Sequence, residues 1–338
     1  MGVLFGSRRL STAVLTGVVA TLTTLMAAPA AYAADSWTAL APVPATGTGV
    51  EGLAAGATSS TLIVAAYGYD NGPGFDTNAT RLYHINTNTW TAGTAAPLPV
   101  RSEEGSTVHK GLFYVVGGRS TATGTALADL VRYNSGTDTW AVLASMPTAR
   151  AGVAVAKTGG GIYVIGGRTA AAGPCSGGEV AAVQRYDIAT NTWSTKAPLP
   201  SARSDVGAMA INGKIYAFGG CTAAGGVVSA AEVYNPTTNT WSAIAPLPTA
   251  AAGFYGLAKS KLEGPEVYIV GGEGAGGSTL GTTQVYNVTS NSYDPGEPPM
   301  LTPRAEMGVA FKGGKVYAIG GAMPCCGISS NANEVVPI

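Results

Sequence analysis

A tyrosine followed seven residues later by a tryptophan returns along this chain: Tyr83 and Trp90, Tyr133 and Trp140, Tyr186 and Trp193, Tyr234 and Trp241. Tyr286 and Tyr293 repeat the spacing with the tryptophan replaced, and Trp37 supplies an isolated first mark. Successive marks from Trp37 to Tyr293 fall 48 to 53 residues apart. Gly-Gly pairs keep the same rhythm at Gly117-Gly118, Gly166-Gly167, Gly219-Gly220, Gly271-Gly272 and Gly320-Gly321, with a degenerate Tyr67-Gly68 ahead of them. A period near 50 marks an array of like supersecondary units, none of which can bury its apolar face alone.

The unit from Arg203 to Trp241 shows what each repeat contains. Asp205 to Ile211 reads as a first strand, Asn212-Gly213 as a two-residue type I′ hairpin, and Lys214 to Phe218 as a second strand ending at Gly219-Gly220. Ala231 to Tyr234 reads as a third strand, and after the turn residues Asn235 to Thr240, Trp241 opens a fourth. The aromatic residues hold one repeat position each time, which architecture requires and a single ligand site does not. The last unit has its Gly320-Gly321 and a third strand at Glu334-Val335-Val336, then stops without a tryptophan. The segment from Ser36 to Pro42 is an orphan fourth strand carrying Trp37. Joining the two completes a sixth four-stranded sheet and removes an open edge. The expectation is an all-β, six-bladed propeller with four antiparallel strands per blade, closed by its N-terminal strand.

Residues 1–33 are set apart from this fold. Arg8-Arg9, an apolar stretch from Leu10 to Ala28 and Ala31-Tyr32-Ala33 read as a secretory signal peptide, leaving 34–338 as the propeller domain. Twin-arginine export is an alternative to the general route, although Ser11 and Thr12 stand where that signal prefers large apolar residues. No later stretch is apolar for long enough to span a bilayer, so the expectation is a secreted, extracellular protein without membrane insertion. Charge is sparse, 19 basic against 19 acidic residues with no basic run, which excludes nucleic acid and anionic lipid as partners. Gly-rich, Thr-rich composition suits short strands and tight turns.

Gly-Gly, then Tyr, then Trp in four-stranded units resembles the kelch repeat over the whole of residues 34–338. The resemblance implies the propeller fold. It does not choose among functions, because kelch propellers include binding modules, oxidases and sugar-modifying enzymes.

Aligning the units on Gly52, Gly105, Ala154, Gly207, Gly256 and Gly308 gives two columns before the first strand. Four residues earlier stand Thr48, Arg101, Arg150, Arg203, Ala252 and Arg304; two residues earlier stand Val50, Glu103, Gly152, Asp205, Phe254 and Glu306. A separation of two puts both columns on one face of an extended strand. Arg101 with Glu103, Arg203 with Asp205, Arg304 with Glu306, and Arg150 with Phe254 are therefore expected at one mouth of the ring. Arginine forks suit hydroxylated or acidic ligands, and Phe254 could stack on a sugar. The competing reading makes the arginines braces between units, and leaves the acids to carry function. Arg119, Arg168, Cys221 and Glu273 begin loops on the same face that differ from unit to unit, as a recognition surface requires.

The four cysteines, Cys175, Cys221, Cys325 and Cys326, all fall in loops. An even count suits disulfides in an oxidising compartment. A Cys175–Cys221 bridge and a vicinal Cys325–Cys326 bridge are expected, the alternative being one cross-bridge from each of the vicinal pair.

Galactose oxidase carries copper on a kelch propeller, but this chain has only His84 and His109, in unlike places. No metal or other cofactor is expected. N-acetylneuraminate epimerase is a weaker likeness that would use a carboxylate and arginines on an acidic sugar. The preferred expectation is a monomeric, non-catalytic propeller that binds a protein or glycan through its loop face and channel mouth; the runner-up is a metal-independent enzyme acting on an acidic sugar.

Overall fold

The structure, a computed structural model, describes residues 36–338 except 73, 171–174, 176, 225, 255–257, 261–263, 295–296 and 324–327. Among the described residues the regular structure is strand, with one short 3-10 turn at Ala275–Gly277. The chain is all-β and built of repeated four-stranded antiparallel sheets, the arrangement of a β-propeller.

The sheets take their strands in chain order. Ala54–Ala57, Leu62–Ala66, Thr80–His84 and Thr89–Gly93 form the first, and Gly105–His109, Leu112–Val116, Leu130–Asn134 and Thr139–Leu143 the second. Like sheets begin at Ala154, Gly207, Ala258 and Gly308. The last consists of Gly308–Phe311, Lys315–Ile319 and Asn333–Pro337, completed by Thr38–Ala39 with Thr38 opposite Val335. The expected hairpin at Asn212-Gly213 has positive φ at both residues, 50° and 77°, as a type I′ turn demands. His109 is the last residue of the first strand of its unit, opposite Leu112.

Apolar residues of adjacent sheets interdigitate. Ile63, Ala65 and Tyr83 of the first sheet pack with Tyr317 and Ile319 of the last, while Val64 and Ala66 face Phe113 and Val115 of the second. Second strands are buried on both faces, which is why they read as continuous apolar runs such as Phe113-Tyr114-Val115-Val116.

The aromatic marks are joints between sheets. Asn191, held at φ 55°, accepts a hydrogen bond from the Tyr186 hydroxyl at 2.7 Å and another from the Ala144 backbone N–H at 2.9 Å. Trp193 Nε1 donates to the Ala144 carbonyl at 2.7 Å, so both backbone groups of one residue on the preceding sheet are caught. Asn88 with Trp90 holds Ala41 in the same way, Asp138 with Trp140 holds Thr94, and Asn239 with Trp241 holds Ala197. Tyr293 keeps the joint despite the substitution, because its hydroxyl reaches the Ala245 carbonyl at 3.2 Å. At roughly 1 kcal/mol net per hydrogen bond, each joint contributes about 2–3 kcal/mol beyond apolar burial.

Gly-Gly has a steric cause. Gly117 has φ 67°, and a Cβ there would lie 2.6 Å from the Arg150 carbonyl of the next unit. Tyr67 replaces that glycine in the first unit and still adopts φ 61°, with its hydroxyl on the Pro97 carbonyl and the Arg101 guanidinium 4.9 Å from its ring centre.

Candidate functional site

Six backbone hydrogen bonds, all 2.8–3.0 Å, link equivalent residues of the six units head to tail. Glu103 N–H donates to the Gly52 carbonyl, Gly152 to Glu103, Asp205 to Gly152, Gly253 to Asp205, Glu306 to Gly253, and Gly52 back to Glu306. All six residues have φ between 53° and 73°, where glycine is at ease and other residues are strained by roughly 1–2 kcal/mol. Glycine and acid alternate around the circuit. Glycine meets the backbone requirement in three units, and in the other three an acid bears that strain and brings a carboxyl to the same position.

This circuit corrects the sequence register in two units. Gly52, not Val50, is the counterpart of Glu103 in the first, and Gly253, not Phe254, in the fifth. The residues equivalent to the arginines are then Val50 and Ala251, whose carbonyls accept from Gly321 and Gly220 as that of Arg150 accepts from Gly118. Phe254 is 4% exposed and packs with Phe218, Ile269 and Tyr286, so it cannot stack on a sugar at the mouth.

The expectation that the arginine column points into the mouth is also corrected. Arg101, Arg150, Arg203 and Arg304 are all 0% exposed. Each Nη1 donates to the first glycine carbonyl of its own unit's Gly-Gly pair, at Gly117, Gly166, Gly219 and Gly320 over 2.6–3.1 Å. Their other arms face Asp129, Gln184, Glu232 and Glu334 on the third strand or its approach. These are braces within units, and the acidic-sugar reading loses these four arginines as substrate contacts.

The mouth belongs to the acids and the loop arginines. Arg168, fully buried, donates to Glu103 through Nη2 and to Asp205 Oδ2 through Nη1 at 2.9 Å. Arg119, with its side chain 28% exposed, holds the other Glu103 oxygen at 2.6 Å. Ser204 Oγ donates to Asp205 Oδ2 at 2.6 Å. Arg119, Glu103, Arg168 and Asp205 therefore form one ionic chain across the second, third and fourth units.

Glu306 differs. It is half-buried, and no hydrogen bond or ion pair to its carboxyl occurs among the described residues. Burial, then the neighbouring Glu51 and Asp205 charges, push it up to about 8, against the pull of Arg168 and Arg119. Burial also raises Glu51, which Ser329 partly relieves, and raises Glu273 together with the Asp205 charge. Sequence reading missed Glu51; its position just before Gly52 signals it only once the register is right.

Cys175 and Cys221 are disulfide-bonded, which excludes the pair of cross-bridges. The sulfur of Cys221 lies 3.9 Å from Asp205 Oδ2, so the bridge ties the loop of the third unit to the edge of the mouth. Cys325 and Cys326 lie outside the described residues. His84 bonds Thr91 at 2.9 Å and shares no cluster with His109. Beyond the ring of φ-positive residues, the first strands line a cavity of about 370 Å3 that includes Gly56, Thr107, Ala156, Lys157 and Met209. No helix among the described residues is long and apolar enough to cross a membrane.

Comparison with known proteins agrees with this architecture. Residues 104–321 match the family described as the KLHDC2/KLHL20/DRC7 Kelch-repeats domain. Kelch-like protein 36 of Rattus norvegicus is 32% identical over 138 residues, 41% of this chain and 22% of that protein. Kelch-like protein terF of Aspergillus terreus is 33% identical over 141 residues, 41% of this chain and 30% of its own length. Beta-scruin of Limulus polyphemus is 32% identical over 123 residues, 36% of this chain and 13% of its length. The matched segment is thus a minor part of each of these longer relatives. The architecture defines a β-propeller of repeated units. The chain belongs to the kelch-repeat family.

Proposed function

We propose that this chain is a six-bladed propeller, latched by the pairing of Thr38–Ala39 with the last blade, that binds a protein partner without catalysis through its loop face and channel mouth. Kelch-repeat homologues typically act as non-catalytic interaction domains, which supports a binding role. The observation that carries the reading is Glu306: a carboxyl kept in a strained conformation, half-buried at the mouth, with neither hydrogen bond nor counter-ion among the described residues. With Glu51 acting on Glu306, Glu273 acting with Asp205, and the loop arginines committed to Glu103 and Asp205, the mouth favours a ligand that presents a cation. Phe75, 56% exposed on the same face, adds apolar contact area. Residues 1–33 act in this reading as an export signal, and the Cys175–Cys221 bridge suits the oxidising compartment beyond it.

Crosslinking of residues 34–338 to candidate partners tests the proposal with paired variants. Phe75→Ser combined with Glu273→Gln should lose the partner. Lys110→Glu combined with Lys214→Glu, exposed on the hairpins of the opposite face, should keep it. The reverse pattern contradicts the proposal. A glycan array with assays of sugar turnover decides against it if Glu306→Gln abolishes a turnover while leaving the sugar bound.

A further inference from the structure

The residue that follows each member of the backbone circuit is buried and apolar in five units: Leu53, Val153, Val206, Phe254 and Met307. In the second unit it is Glu104, at 0% exposure. Its Oε1 accepts the Ala54 N–H of the first unit at 3.0 Å, and its Oε2 has no partner. Two other buried oxygens nearby are also unsatisfied. Asp76, 1% exposed, accepts the Thr121 N–H at 2.6 Å and the Thr121 hydroxyl at 3.0 Å through Oδ2, but nothing on Oδ1. Ser102 Oγ, 2% exposed, is unpartnered too. The bridge between Thr77 and Arg101 sets Asp76 directly across from Ser102, and Glu104 lies two residues further along that segment. Asp76 and Ser102, directly opposed, share a face, and the Asp76 charge acts on Glu104, so the three unsatisfied groups meet where the first and second units join.

We propose that the folded protein holds Glu104 as the neutral acid, and that loss of its proton to water in alkaline solution loosens the seam between the first two units beneath the mouth. Hydrogen-bond counting supports the neutral form. A fully buried carboxyl with one donor from the neighbouring unit on Oε1 and no partner on Oε2 is too poorly solvated to carry a charge readily, and protonation removes that charge. The charged groups that act on Glu104 are Arg101 and Asp76, with Tyr67 and Asp129 around Arg101. Arg101 is the one cation among them; its Nη1 donates to the Gly117 carbonyl, and its Nη2 faces Asp129 at 3.5 Å without forming a hydrogen bond. Burial accordingly holds the Glu104 carboxyl well above the usual carboxylate range, with hydrogen bonding and Arg101 only partly opposing it. An ionised Glu104 draws water to the Ala54 link, one residue from the Glu103–Gly52 bond of the circuit.

The sign follows from linkage. An acid raised by folding contributes stability that is complete below its unfolded value near 4.5 and is lost as pH rises through its folded value. Thermal melting of residues 34–338 between pH 5 and pH 9 should therefore separate wild type from Glu104→Gln. The two should agree near pH 5, and the variant should gain about tenfold in folding equilibrium for each further pH unit until the wild-type group ionises. Glu306, Glu51 and Glu273 are present in both proteins and cancel in the difference. Infrared difference spectra at pH 7 give a second measurement: part of the protonated-carboxyl band should vanish in Glu104→Gln. Parallel melting curves across the range overturn the proposal, as does an unchanged carboxyl band. A chelator that destabilises wild type but not Glu104→Gln also overturns it, since the occupant of the seam is then a metal ion.

Discussion

Arg81 donates its Nη1 to the carbonyl of Tyr67 at 3.2 Å, from the third strand of the first unit. In four other units the equivalent carbonyl is served from the segment before the first strand, by Arg101, Arg150, Arg203 and Arg304. Val50 occupies that position in the first unit, and the guanidinium has moved across the sheet to replace it. Arg81 also holds the Pro44 carbonyl through Nε at 2.9 Å. Truncating Arg81 to Ala strands two carbonyls and should cost about 3 kcal/mol in chemical denaturation. Val50→Arg combined with Arg81→Gln, copying the Arg150 and Gln184 arrangement, should recover part of that loss. A cost for Arg81→Ala below about 1 kcal/mol contradicts the bracing role.

Asn191 carries a joint by backbone conformation and by side chain together. Asn191→Ala loses both hydrogen bonds and leaves a non-glycine residue at φ 55°, so it should lose about 2–3 kcal/mol. Asn191→Gly relieves the strain and should lose about 1 kcal/mol less. Equal losses in urea titrations would mean that the conformation contributes nothing.

Glu306 should show function and stability opposed. Glu306→Gly restores the residue that the left-handed conformation favours, and Gly52, Gly152 and Gly253 show that the circuit accepts it. Stability should rise by about 1 kcal/mol while partner binding falls. The pH effect has a fixed sign: a carboxyl raised to about 8 contributes stability that is full below about 4.5 and lost as pH rises through 8. Glu306→Gln should therefore flatten the melting temperature between pH 6 and pH 9. A variant that steepens it reverses the sign and refutes the assignment.

The repeated features were legible because they depend on local chemistry. Asn212-Gly213 demands its turn, the Tyr–Trp spacing marks third and fourth strands, and Trp37 without a third strand pointed to its pairing with the last unit. The mouth was harder to read. The two-residue rule that placed Arg101 and Glu103 on one face holds for extended backbone, and Glu103 at φ 59° breaks it. That turn sends Arg101 back into its own sheet and Glu103 toward Arg119 and Arg168. The same left-handed residue explains the register errors at Gly52 and Gly253, since an alignment on glycines cannot tell a φ-positive glycine from one chosen for close packing. Glu104, Asp76 and Arg81 each occur in one unit, where a repeat gives no guidance.

The latch is the claim on which the mouth depends. Trp37 is 4% exposed with Nε1 on the Pro298 carbonyl at 3.1 Å, and Leu40 and Val43 donate to the carbonyls of Asn333 and Asn331. Calorimetry of residues 34–338 against a chain lacking residues 34–45 measures its weight directly. A melting temperature lowered by more than 10 °C, with a broadened transition, is the result predicted for a domain near 300 residues losing several kcal/mol. An unchanged, equally sharp transition would mean that the N-terminal strand does not close the ring.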